Sequence, residues 1–220
     1  MPNTSESSAP LTDALSRSLL DVVPVMPVVL IDRVEDAVPL ARALVAGGLP
    51  AIELTLRTPA ALAAISAIAA EVPEILLGAG TIVSPAQADK AVAAGAGFLV
   101  SPGATPMLMR AMLATGVPFL PGTTTFSEAL AVREEGITEM KFFPAEAAGG
   151  AAYLKSVASP VPAARFCPTG GITAASAASY LALANVGCVG GSWLTPADAI
   201  AAGDWDRITE LAAAAAALGG

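Results

Sequence analysis

The sequence contains no histidine. That absence removes the imidazole base, the serine–histidine nucleophile and histidine-ligated zinc together. Charge is also sparse at 14% of residues, and only three of those are lysines. No apolar run reaches the roughly 18 residues needed to cross a bilayer. The net charge of -8 and isoelectric point near 4.4 argue against nucleic acid or an anionic membrane as a partner. An anionic ligand must therefore be held by local groups and not by the overall field. The two cysteines, Cys167 and Cys188, stand in apolar strand-like runs and read as small buried hydrophobes in a reducing compartment.

What is abundant is apolar: 55% of the 220 residues, enough for a large core and far from a disordered composition. The opening MPNTSESSAP is rich in serine and proline and lacks a basic stretch. It reads as a disordered tail over residues 1–10, ahead of a single domain over 11–220 that is expected to be soluble and cytoplasmic.

After an expected first helix over Leu11–Asp21, one pattern recurs eight times. A short apolar run ends in Gly, Pro, Thr or Ser, and an Ala/Leu-rich helical segment follows. The runs begin at Val25, Ala51, Ile75, Phe98, Pro118, Met140, Arg165 and Val186. Continuous apolar strands alternating with helices indicate parallel strands covered by helices. Eight even units predict a (β/α)8 TIM barrel with an extra N-terminal helix. An open doubly wound sheet is the alternative, disfavoured because no dinucleotide fingerprint follows the first strand. The closing LAAAAAALGG reads as a last helix fraying into glycines.

In such a barrel, chemistry sits at the C-terminal ends of the strands. Here those ends read GAGT, SPG, PGT, FFPA, PTGG and GGSW, rich in glycine and hydroxyls, which suits a binding rim. Strand alternation places Glu53, Thr55 and Arg57 on one side of AIELTLRT, with Ile52, Leu54 and Leu56 toward the helices. The same parity sends Lys141 and Phe143 inward and Met140 and Phe142 outward. Glu53 and Lys141 lie on the second and sixth strands, so both can share one interior layer. A buried pair that merely fixes the fold, with Arg57 reaching to the rim, is the plain alternative.

A lysine in this setting can do more. An exposed amine has a pKa near 10.4, leaving about one in 2,500 neutral at pH 7. Burial and a neighbouring cation lower that value, while a neighbouring carboxylate favours the ammonium, so the resting position of the proton stays open. A proton-exchanging acid beside an amine is what imine formation requires.

The segments AGGLPAIELTLRT, EVPEILLGAGT, PGTTTFSEA, MKFFPAEAAGG, RFCPTGGI and GGSWLTPADA resemble those of the 2-keto-3-deoxy-6-phosphogluconate aldolase family. These are class I pyruvate aldolases of the Entner–Doudoroff pathway, often also active on 4-hydroxy-2-oxoglutarate. The resemblance runs from about Leu11 nearly to the C-terminus. It implies a lyase that needs neither metal nor cofactor and acts on a keto-acid phosphate, with Lys141 forming the Schiff base and Glu53 the general acid/base. It further implies a carboxylate clamp of Arg57 and Thr81 and pocket walls of Pro102 and Phe143. Thr169, Gly170, Gly171, Gly191 and Ser192 fall in the region that holds the distal phosphate. The same resemblance suggests a homotrimer, for which the apolar helix over residues 61–70 is one candidate surface and an ordinary barrel-covering face the other. Arg33, beside Asp32, is either a phosphate helper or a solvated loop charge. A rival from another class is a phosphometabolite-binding barrel without turnover.

Overall fold

A computed structural model describes residues 18–219. The tail over residues 1–10 and most of the expected first helix lie outside the described residues. Its end, Leu19–Asp21, is a single 3₁₀ turn capped by Ser18, whose hydroxyl accepts from the Leu20 N–H. A helix cannot run on from there, because Pro24 forces the residue before it toward extended backbone.

Every strand pairing is parallel. Strands β1 (Val25–Val29), β2 (Ala51–Thr55), β3 (Leu76–Gly80), β4 (Phe98–Val100), β5 (Phe119–Leu120) and β9 (Val189–Gly191) form one sheet in the order β5-β4-β3-β2-β1-β9. A second sheet joins β6 (Gly122–Thr123), β7 (Glu139–Phe142) and β8 (Arg165–Pro168). Isolated parallel bridges Phe166–Val186 and Thr169–Gly190 link the second sheet to the segment containing β9. Each of the eight apolar runs thus yields a strand, and the fifth yields two.

The split in the fifth run has a local cause. Pro121 has no N–H to give a neighbouring strand. The Gly122 N–H instead reaches the Ser101 hydroxyl at 3.2 Å. A Cβ on Gly122 would stand 2.2 Å from the Pro102 carbonyl carbon, so only glycine permits the bend. The chain leaves β4 at this point and takes up pairing with β7, where Gly122 is opposite Lys141.

Helices follow the strands: α1 (Ala37–Ala46), α2 (Ala61–Glu71), α3 (Pro85–Ala93), α4 (Pro106–Ala114), α5 (Phe126–Glu134), α6 (Gly150–Val157) and α7 (Ala174–Leu181). After β9 come α8 (Ala197–Ala202) and α9 (Trp205–Ala216), separated by Gly203 at φ +67°. Their starts are written in the sequence. Ser84 and Thr105 cap α3 and α4 ahead of a proline, and Thr125 closes a capping box with Glu128. The last helix ends in a 3₁₀ turn over Ala217–Gly219, in keeping with its glycine-rich close.

The core lies between strands and helices. Ile52, Leu54, Met140 and Phe142 are all buried. Phe142 stacks on Tyr153 of α6 at 5.3 Å between ring centroids, so it faces outward as alternation requires. Helix α2 buries Ala61, Ala64, Ile65 and Ile68, the stripe of a helix that covers a sheet. Cys167 and Cys188 are buried free thiols. No helix among the described residues is long and apolar enough to cross a membrane.

Candidate active site

A cavity of about 710 Å³ opens at the C-terminal ends of the strands. Lys141 lies in its wall. Alternation along β7 turns this side chain inward, where it is only 5% exposed. Its Nζ donates to Glu53 Oε1 at 3.1 Å, and Glu53 is only 2% exposed. The two strands that carry them belong to different sheets, so the bond spans the interior. The Phe143 ring stands 5.4 Å from Nζ, offering the ammonium its π-face. Glu53 is not in the cavity wall. Its carboxylate is almost fully buried, in contact with the amine that lines the cavity.

Arg57 lines the same cavity from just beyond the end of β2, with its side chain exposed. Thr81 lines it at φ +60°. A β-branched residue in that region is strained and persists only where its surroundings hold it. Pro102 and Phe143 also lie in the wall, as do Thr169, Gly170, Gly171 and Ser192. Gly170 and Gly171 adopt φ +102° and +81°, which glycine alone takes without strain. Among the described residues neither of their N–H groups has a hydrogen-bond partner. Successive unpaired N–H groups in a turn of this kind form a concavity suited to an anion.

Two expectations are corrected. Gly191 is absent from the wall, because a Cβ there would point at the Trp193 ring, 2.4 Å away; its neighbour Gly190 lines the cavity instead. The rim hydroxyls are also not all free for a ligand. Ser101 is buried and accepts from Gly122, and buried Thr123 donates to the Lys141 carbonyl at 3.4 Å. Both stabilise the bend near β6. Buried Thr169 likewise donates to the Cys167 carbonyl at 3.4 Å, leaving Thr81 and Ser192 among the cavity-lining hydroxyls that make no hydrogen bond among the described residues.

Arg33, left open by the sequence, lines the cavity. Asp36 grips it as a fork, Nε to Oδ2 at 2.9 Å and Nη2 to Oδ1 at 2.7 Å, and so fixes the guanidinium plane at the mouth. The hydrogen bonds to Asp36 raise the Arg33 pKa above its usual value. The i,i+3 spacing was a readable signal for this pair. The reading also missed the apolar side formed by Val28, Leu30, Ala197, Ile200 and Ala201, which the approach of α8 to β1 creates. Nothing local in the sequence announces it.

An interior amine paired with a carboxylate, below a mouth that carries cations and unpaired N–H groups, defines an imine-forming site for an anionic carbonyl compound. A model of the KDPG and KHG aldolases matches residues 17–211, and the chain belongs to that family. It is 51% identical to the KHG/KDPG aldolase of Escherichia coli (strain K12) over 197 residues, 90% of this chain and 92% of that one. It is 50% identical to the 2-dehydro-3-deoxy-phosphogluconate aldolase of Dickeya dadantii (strain 3937), covering 92% and 95% of the two chains. The KDPG aldolase of Legionella pneumophila, solved with pyruvate captured as a covalent carbinolamine, superposes with a TM-score of 0.88. That chain is 45% identical, with 90% of this chain and 96% of that one covered.

Proposed function

We propose that this protein is a class I aldolase that cleaves 2-dehydro-3-deoxy-6-phosphogluconate to pyruvate and glyceraldehyde 3-phosphate. The observation that carries this reading is the 3.1 Å contact between the Lys141 amine and the Glu53 carboxylate, both buried beside an open cavity.

The neutral Lys141 amine attacks C2 of the keto acid, and Glu53 relays protons as the carbinolamine loses water to become a protonated imine. Glu53 then takes the proton of the C4 hydroxyl. The C3–C4 bond breaks, its electron pair flows into the imine, and the aldehyde leaves. The resulting enamine takes a proton at C3, and water releases pyruvate and restores the amine. Arg57 and the Thr81 hydroxyl clamp the C1 carboxylate, and Pro102 and Phe143 wall the pocket. Thr169, Gly170, Gly171 and Ser192 hold the distal phosphate through N–H and hydroxyl groups.

The same reading takes residues 11–220 as one catalytic domain with an N-terminal helix and a closed (β/α)8 barrel. The split fifth run and the bridges between β8 and the β9 segment support closure, since they join the two sheets on both sides. It also takes the protein as a cytoplasmic homotrimer; the exposed apolar side chains Val83 and Met107, near the starts of α3 and α4, and Leu130, midway along α5, support self-association. Light scattering gives the stoichiometry.

The test is trapping. Incubation with pyruvate and borohydride adds the reduced adduct's mass to the peptide containing Lys141. Active protein that gains no adduct overturns the imine mechanism. A second activity, on 4-hydroxy-2-oxoglutarate, is favoured by the dual name of the E. coli relative. Comparing catalytic efficiency on substrates with and without the phosphate measures its share.

A further inference from the structure

The two glycines proposed to receive the phosphate do not hold their own conformation. The loop after β7 clasps them. The Ala145 N–H donates to the Thr169 carbonyl at 2.8 Å and the Glu146 N–H to the Gly170 carbonyl at 3.1 Å. The Glu146 stem covers Gly171, where a Cβ would fall 2.7 Å from Glu146 Cγ and 2.8 Å from its Cβ. The Glu146 carboxylate then accepts the Tyr180 hydroxyl at 2.7 Å. Tyr180 is 1% exposed in α7, the helix that continues from the glycine loop. Residues on both sides of Gly170–Gly171 are thereby tied together by one side-chain bond.

The charge adds a second reason to look here. Glu146 is an acid within the loop that flanks the anion subsite, yet it is not in the cavity wall. A carboxylate free to swing toward the Gly170 and Gly171 N–H groups would compete with a phosphate for them. The bond to Tyr180 holds it on the far side. Gly150, at φ +62°, leaves room for this arrangement, since a Cβ there would lie 3.2 Å from the Tyr180 hydroxyl.

We infer that Glu146 and Tyr180 are positioning residues that set the affinity for the substrate phosphate, the glutamate as a strut for Gly170–Gly171 and the tyrosine as its anchor. This rests on the proposed phosphate role of the glycine loop. Neither residue touches the reacting carbons, so the effect is confined to the phosphorylated end. Burial and the bond to Glu146 raise the Tyr180 pKa well above its ordinary value, which keeps the anchor a donor.

The experiment measures kcat and KM for 2-dehydro-3-deoxy-6-phosphogluconate and for unphosphorylated 4-hydroxy-2-oxoglutarate, with inhibition by inorganic phosphate. Tyr180→Phe and Glu146→Ala are expected to raise KM for the phosphorylated substrate and the phosphate inhibition constant about tenfold, on the scale of one charge-assisted hydrogen bond. Their kcat on the unphosphorylated substrate stays within about twofold of wild type, and Glu146→Gln, which still accepts from Tyr180, largely restores the phosphate terms. Wild-type preference for the phosphorylated substrate retained in both Tyr180→Phe and Glu146→Ala overturns the strut alone. Wild-type protein that shows neither that preference nor inhibition by phosphate overturns the phosphate reading, and the strut with it. Glu146 is exposed, so its variants keep the test open should Tyr180→Phe fold poorly.

Discussion

Gly80 makes room for Glu53. A Cβ on Gly80 would stand 2.1 Å from Glu53 Oε1 and 2.7 Å from its Cδ, with no positive φ to explain the glycine. The bare α-carbon in β3 is what lets the carboxylate of β2 lie level with the Lys141 amine. Gly80→Ala must push that carboxylate by about 1 Å, and a displacement of that size at a reacting group costs about 100-fold in rate. The expected result is a well-folded protein whose kcat falls by about that factor. Circular dichroism checks the fold, and single-turnover pyruvate trapping locates the slowed step.

The buried pair also sets a stability signature that separates it from a surface ion pair. Removing one partner leaves an uncompensated charge in the interior, a loss of about 3–5 kcal/mol, whereas replacing both by apolar groups of similar volume is close to neutral. Lys141→Met and Glu53→Leu are therefore each expected to unfold at markedly lower denaturant. The double variant should recover most of the loss. All three are expected to be inactive. Urea unfolding of the set, analysed as a double-mutant cycle, reads the coupling directly.

Much of this site was legible because strands impose a period of two. Once AIELTLRT and EMKFFPA are read as strands, the parity of Glu53 and Lys141 follows without any tertiary information. The Lys141–Glu53 contact on one side and the stacking of Phe142 on Tyr153 of α6 on the other agree with that parity. Gly191 is placed at the rim by the resemblance and not by parity. Gly191 and Gly190 differ by one residue, and the direction of Trp193 decides which faces the cavity. Composition misled at Ser101 and Thr123, whose hydroxyls serve backbone groups at a bend created by Pro121. The apolar wall of Leu30 and Ile200 was illegible for a different reason. It exists only because α8 and the end of β1, segments 170 positions apart, line the same cavity.

Thr81 carries a trade between stability and function. At φ +60° its β-branched side chain sits where glycine would rest without strain. The strain released by Thr81→Gly exceeds the extra chain entropy that glycine loses on folding, so stability is expected to rise by about 1 kcal/mol. The hydroxyl proposed to grip the substrate carboxylate goes with it. Denaturation midpoints should move up while KM for the keto acid rises about tenfold. Thr81→Val keeps the β-branched strain and replaces only the hydroxyl, so a gain in stability confined to the glycine variant identifies backbone strain as the cause.

The alkaline limb of stability should report Tyr180. Burial, and then the hydrogen bond to Glu146 and its charge, raise the pKa of this phenol above the usual value near 10. Above pH 10 the unfolded chain loses the phenolic proton while the folded protein keeps it, so the folded state binds more protons and stability falls as pH rises. Below pH 10 the contribution is fully present. Unfolding free energies measured from pH 8 to 11 should therefore decline at the upper end in wild type. In Tyr180→Phe, which has no proton to lose there, that part of the slope should vanish. Tyr153, the second tyrosine of the chain, stacks on Phe142 and is unchanged in this comparison, so it is common to both proteins. An unaltered slope in Tyr180→Phe would place the alkaline sensitivity elsewhere and separate the Glu146–Tyr180 bond from the stability of the fold.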